Sequence, residues 1–123
     1  TYVGKAQVTY ATSDPRVSGS ATGVLSMVSA DLPDGYTVNK WFNSGDCDDF
    51  VITNAGGAWR CAETFGADMW DPTGGIHTVY TDAYLGEGGY AGLRVRLFGA
   101  QGTSEPADAT AEFIVYGWIE PAD

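Results

Sequence analysis

The chain has 123 residues, 44% of them hydrophobic, and a formal net charge of −10 from sixteen acidic against six basic side chains. That length and apolar content suit one domain, residues 1–123, with its own core. The charge speaks against nucleic acid or an anionic membrane surface as partner, and no apolar run approaches the ~20 residues of a membrane-spanning helix.

Seventeen glycines and sixteen aromatics (five Phe, seven Tyr, four Trp), with recurring Thr and Val, favour strands over helices. The acidic excess reads as a solubility surface suited to an extracellular setting. The chain begins at Thr1 with no visible signal peptide, which suits a processed or trimmed product. Cys47 and Cys61 are expected to pair, because the composition looks secreted and oxidising compartments favour disulfides. Such a bridge would close a loop of about 15 residues and stabilise by roughly 3 kcal/mol.

In chain order, Tyr2 to Tyr10 alternates as a first strand, broken by Ser13-Asp14-Pro15-Arg16, since proline cannot donate to a central ladder. Val17 to Asp31 is a second, long strand, and Leu32-Pro33-Asp34-Gly35 is a turn tetrad with proline second and glycine fourth. Tyr36 to Asn43 is the third strand. The polar stretch from Asn43 to Asp49 is a loop, and Asp49 to Thr53 a short fourth strand. Asn54-Ala55-Gly56-Gly57 turns the chain into a fifth strand, Ala58 to Phe65. Gly66 to Gly75 reads as a loop holding Asp71-Pro72, with Met69 and Trp70 as apolar anchors. Ile76 to Leu85 is strand six, and Leu93 to Gly99 strand seven. Gln101 to Ala109 is a polar loop, and Thr110 to Glu120 strand eight.

Eight strands with short connections predict an all-β domain. An antiparallel eight-stranded barrel removes its own edges, and a two-sheet sandwich is the alternative. On strand seven Leu93, Val95 and Leu97 share one face, and Arg94, Arg96 and Phe98 the other. On strand six Thr78, Tyr80, Asp82 and Tyr84 share a face. On strand eight Ile114, Tyr116 and Trp118 oppose Phe113, Val115, Gly117 and Ile119. If the aliphatic faces form one layer, the Tyr80/Tyr84, Arg94/Arg96 and Tyr116/Trp118 faces form a second, aromatic and partly charged one. Pattern alone leaves open which layer faces inward.

Motifs of established chemistry are missing from the sequence. It has no G-x-S-x-G, no H-E-x-x-H and no phosphate loop, and Gly86-x-Gly88-Gly89 precedes a strand, where a dinucleotide fingerprint would precede a helix. His77, the only histidine, reads as structural or solvent-facing. Asp46, Asp48 and Asp49 read as a solvated acidic loop, since a calcium loop would need more ligands at set spacings. Glu63, Glu87 and Glu112 are scattered. No metal site and no cofactor are expected.

The run Gly86-Glu87-Gly88-Gly89-Tyr90-Ala91-Gly92-Leu93 between two strands resembles the G-x-G-x-Y/F-x-G segment of small barrels in the allene oxide cyclase and dirigent-like superfamily. Spirotetronate-cyclase-type (Diels–Alderase) barrels look similar. The Asn54-Ala55-Gly56-Gly57-Ala58-Trp59 hairpin and the closing Val115-Tyr116-Gly117-Trp118-Ile119 strand suit the same layout. The resemblance covers the second half of the chain. It implies a barrel whose glycine run is a structural corner and whose cavity takes a hydrophobic polyene, phenolic or fatty-acid-derived substrate. None of those families' catalytic positions carries over.

Three functions follow as expectations. The first is a secreted barrel binding a hydrophobic or aromatic small molecule. Trp41, Trp59, Tyr80, Tyr84, Tyr116 and Trp118 would supply stacking surface, and Arg94 or Arg96 a charged handle. The second is a cofactor-free cyclase or isomerase. The third is an extracellular structural or assembly protein. The oligomeric state stays open.

Overall fold

In the computed structural model, buried and more exposed residues alternate along much of Gly57–Trp70 and along the start of Leu93–Pro106, so the alternation read from the sequence becomes an inside and an outside. The structure describes residues 2–44, 47, 50–73, 75–106 and 115–123. Among these the elements are β1 (Tyr2–Tyr10), β2 (Gly19–Asp31), β3 (Thr37–Ser44), β4 (Val51–Asn54), β5 (Gly57–Trp70), β6 (Gly75–Gly88), β7 (Leu93–Pro106) and β8 (Val115–Pro121). A single 3-10 turn, Pro33–Gly35, follows β2 at the tetrad that the sequence marks.

All strand pairs are antiparallel and belong to one curled sheet, running β1-β2-β3-β5-β6-β7-β8. The short β4 lies off that path and pairs with β2 and β5. The expected all-β class and one disulfide are therefore present, in the form of a half-barrel. Cys47 and Cys61 are bonded, with Cα atoms 5.5 Å apart, and Cys47 is fully buried.

Two expected loops are strand. The stretch from Gly66 to Trp70 continues β5, because its backbone pairs on both sides, with β3 and with β6. Partners on two edges outweigh the weak strand preference of Gly, Ala and Asp. Likewise β7 continues past Gly99 to Pro106, laddered on β6. Residues 110–114, the expected start of the last strand, lie outside the described residues, as do Asp46, Asp48, Asp49 and Glu112.

One irregularity sets the inner surface. Cys61 pairs with Tyr84 and Glu63 with Ala83, so Ala62 is an extra residue in β5. The bulge turns Cys61 and Thr64 to the same side, where strict alternation would oppose them. The core cluster among the described residues is Tyr10, Val17, Ala21, Phe50, Ile52, Trp59, Cys61, Tyr84, Tyr90, Val95 and Leu97 with Cys47.

The glycine run is a tight corner between β6 and β7. Gly88 turns left-handed at φ 63°, and Tyr90, Ala91 and Leu93 close the turn through backbone hydrogen bonds to Glu87, Gly88 and Tyr90. A side chain at Gly86 would collide with the Tyr90 carbonyl, so glycine is required there for close approach. The corner docks onto the β4–β5 turn. Tyr90 stacks on Trp59 at 4.8 Å and donates its hydroxyl to Asn54 Oδ1 at 2.6 Å. The Asn54 amide in turn donates to the carbonyls of Arg16 and Ser18, at 2.8 and 2.9 Å. The Trp59 indole N–H also donates to the Arg16 carbonyl, at 2.7 Å. This network plugs one end of the curl.

Candidate functional site: a tyrosine–aspartate cluster on the inner face

Beyond the plug, the inner faces of β5 and β6 carry polar residues in a repeating arrangement. Thr64 stands opposite Asp82, Gly66 opposite Tyr80, and Asp68 opposite Thr78. Each threonine donates its hydroxyl to the facing aspartate. Thr64 Oγ1 is 2.6 Å from Asp82 Oδ1, and Thr78 Oγ1 is 2.8 Å from Asp68 Oδ1. Cross-strand neighbours sit close enough for such pairs to form without backbone adjustment.

Asp82 is the centre of the cluster. It is 8% exposed, and its carboxylate receives the Thr64 hydroxyl and, at a long 3.5 Å, that of Tyr84. Tyr10, at the end of β1, lies within electrostatic reach of Asp82, Tyr80 and Tyr84 across the inside of the curl. Three tyrosines from two distant strands thus converge beside one carboxylate.

Removal from water disfavours every charged form here. Burial pushes the Asp82 carboxyl up to about 6, against the smaller opposing pull of the Thr64 and Tyr84 hydroxyls. Burial, aided by the nearby Asp82 charge, pushes Tyr80 up to about 12. Tyr10 and Tyr84 are raised further, again mainly by burial. Asp68, less enclosed, is raised by burial against the Thr78 hydrogen bond. Chemically, the cluster is a set of neutral hydroxyl donors around an acid that changes protonation near neutral pH.

Of the ligand residues expected from sequence, Tyr80 and Tyr84 belong to this cluster. Trp59 faces inward too, but it is wholly buried under Tyr90 in the plug. Arg94, Arg96, Tyr116 and Trp118 lie on the opposite, outer face. The register decides this, because Tyr84 pairs with Val95 and Asp82 with Leu97, so the tyrosines share a side with the buried aliphatic residues. Arg94 stands opposite Leu85 and Glu120, and Arg96 opposite Ala83 and Trp118. The expected single layer of tyrosines and arginines is therefore split between two faces. The Trp41 side chain lies outside what the structure describes.

Outside, Arg94 and Arg96 both donate through Nε to Glu120 Oε1, at 2.9 and 2.8 Å, and the Trp118 indole donates to Oε2 at 3.0 Å. These contacts, led by Arg96, hold the Glu120 carboxyl down at about 2. His77, half-exposed, sits 3.3 Å from Asp71. No group of metal-binding side chains occurs among the described residues.

Asp82 and Tyr10 were not among the sequence candidates. Asp82 had a legible signal, an acid in mid-strand on a face shared with two tyrosines. Tyr10 had none, since its role depends on how the sheet curls. No family model, no curated protein and no solved structure matches the chain.

Proposed function

We propose that the protein is a secreted binding module that holds a small, neutral, aromatic or apolar molecule inside its curled sheet. The observation that carries this reading is the convergence of Tyr10, Tyr80 and Tyr84 on Asp82 in the interior. Binding sites of this kind combine apolar walls with a few convergent polar groups that orient the ligand. The tyrosines offer ring faces and hydroxyl donors, and Asp82 an acceptor. An anionic ligand suits the interior poorly, because Asp82 is partnered by hydroxyls and Arg94 and Arg96 face away. The disulfide supports the extracellular setting.

The reading includes closure of β1 against β8 into a barrel, supported by the proximity of Tyr10 on β1 to Tyr80 and Tyr84 on β6. Slow hydrogen exchange at the β8 amides that point away from β7 would be expected on closure. Fast exchange there would count against it.

The test of binding is calorimetric titration with neutral phenols and terpenoid alcohols against the wild type, Tyr80→Phe and Asp82→Asn. Saturable binding weakened about tenfold by either substitution is expected, in line with loss of one buried hydrogen bond. Binding that neither substitution alters would overturn the reading.

A second reading rests on the same carboxylate. An acid poised near 6 can give and take protons at neutral pH, as a cofactor-free isomerase or cyclase needs. Turnover of a bound ligand by the wild type, lost in Asp82→Asn with binding retained, would favour it.

A further inference from the structure

The outer face of β7 and β8 carries an uncovered aromatic patch. Phe98, Tyr116 and Trp118 are 43%, 62% and 51% exposed. The Phe98 ring centroid lies 6.1 Å from those of both Tyr116 and Trp118, so the three form one surface. Trp118 is held in place, with its indole N–H already donated to Glu120. Contiguous exposed rings with satisfied polar atoms mark an interaction surface, and Trp, Tyr and Arg dominate the energetics of such contacts.

The distribution of charge selects the occupant. Arg94 and Arg96 flank these rings, and Arg60 stands farther off on the same outer face, opposite Leu85; together they are half of the six basic residues. They are matched there by three acids. Arg60 pairs with Glu87 at 2.6 Å, Arg96 reaches Glu63 at 3.6 Å, and both Arg94 and Arg96 bind Glu120. Among the described side chains three arginines and three glutamates balance here, so the net charge of −10 is carried by other residues. Two copies of this protein repel over most approaches, and over this face they do not. Both signs of charge beside the rings also suit a two-fold contact, in which each arginine can face a glutamate of the other copy. A cationic partner would instead be drawn to the acidic remainder.

We infer that this face joins two copies of the chain in an isologous dimer centred on Phe98, Tyr116 and Trp118. The contact does not depend on the interior site.

The test is sedimentation equilibrium across a concentration series, at low and moderate salt. The wild type should show a reversible monomer–dimer equilibrium that tightens with salt, as the net repulsion is screened. Trp118→Ala and Tyr116→Ser should each weaken dimerisation by about tenfold or more. Val28→Ser, an exposed apolar site on β2 and remote from β7 and β8 in the sheet order, should leave it unchanged. Circular dichroism confirms that each variant is folded, and the two patch variants report independently. A wild type that stays monomeric at hundreds of micromolar would overturn the inference. So would dimerisation indifferent to both patch variants, or a patch that binds a glycan or a different protein while the chain stays monomeric.

Discussion

The inner and outer faces of the same three strands, β6 to β8, both bring aromatic rings beside a carboxylate, and they treat it in opposite ways. Inside, Asp82 has burial and hydroxyl partners, and its carboxyl rises to about 6. Outside, Glu120 has two guanidinium groups and an indole N–H, and its carboxyl falls to about 2. The contrast teaches that aromatic surroundings do not set the charge of an acid. Access to water and the sign of its neighbours do.

The comparison can be sharpened first at the buried end. Trp59→Ala should cost the most, about 3–5 kcal/mol, because it empties a core site and removes the Tyr90 stack. Urea denaturation reads this directly, and a loss below about 1 kcal/mol would mean that the plug contributes little. Next, Cys47→Ser with Cys61→Ser should lower stability by roughly 3 kcal/mol through the freed loop. A melting temperature unchanged by reduction would contradict it.

The two carboxylates predict opposite pH windows. Asp82 binds its proton more tightly folded than unfolded, so its contribution is full below about pH 4 and is lost as pH rises through about 6. The free energy involved is about 3 kcal/mol. Asp82→Asn should remove this slope and be more stable than the wild type at pH 7 to 8 in urea titrations. Glu120 has the reverse sign. Its contribution is present above the ordinary carboxylate range and is lost as pH falls through about 2, so Glu120→Gln should lower stability at neutral pH and flatten the acid limb. If Asp82→Asn leaves the neutral slope in place, the account of the inner face fails.

Smaller effects test the boundaries. Tyr90→Phe keeps the stack and loses the hydrogen bond to Asn54, which should cost about 1 kcal/mol. Trp118→Ala, at a half-exposed site, should change the stability of the monomer by no more than about 0.5 kcal/mol. A large loss there would mean that the outer face is part of the folding core.

Local chemistry alone made much of the fold legible. Proline and glycine placed the turns at Pro33–Gly35, Asn54 to Gly57 and the Gly86 corner, and alternation identified strands in all eight regions. The composition pointed to the bond between Cys47 and Cys61. The tertiary structure decided what alternation cannot carry. It ran β5 through Gly66 to Trp70, because pairing on both edges overrides local preference. It inserted Ala62 as a bulge, which aims Thr64 at Asp82. It set Tyr84 against Val95, which put the tyrosines inside and Arg94 and Arg96 outside. Side-chain period is a property of one strand, whereas register belongs to two, and a slip of one residue exchanges the faces. Tyr10 meets Tyr84 only because the sheet curls, and that is a property of all the strands together.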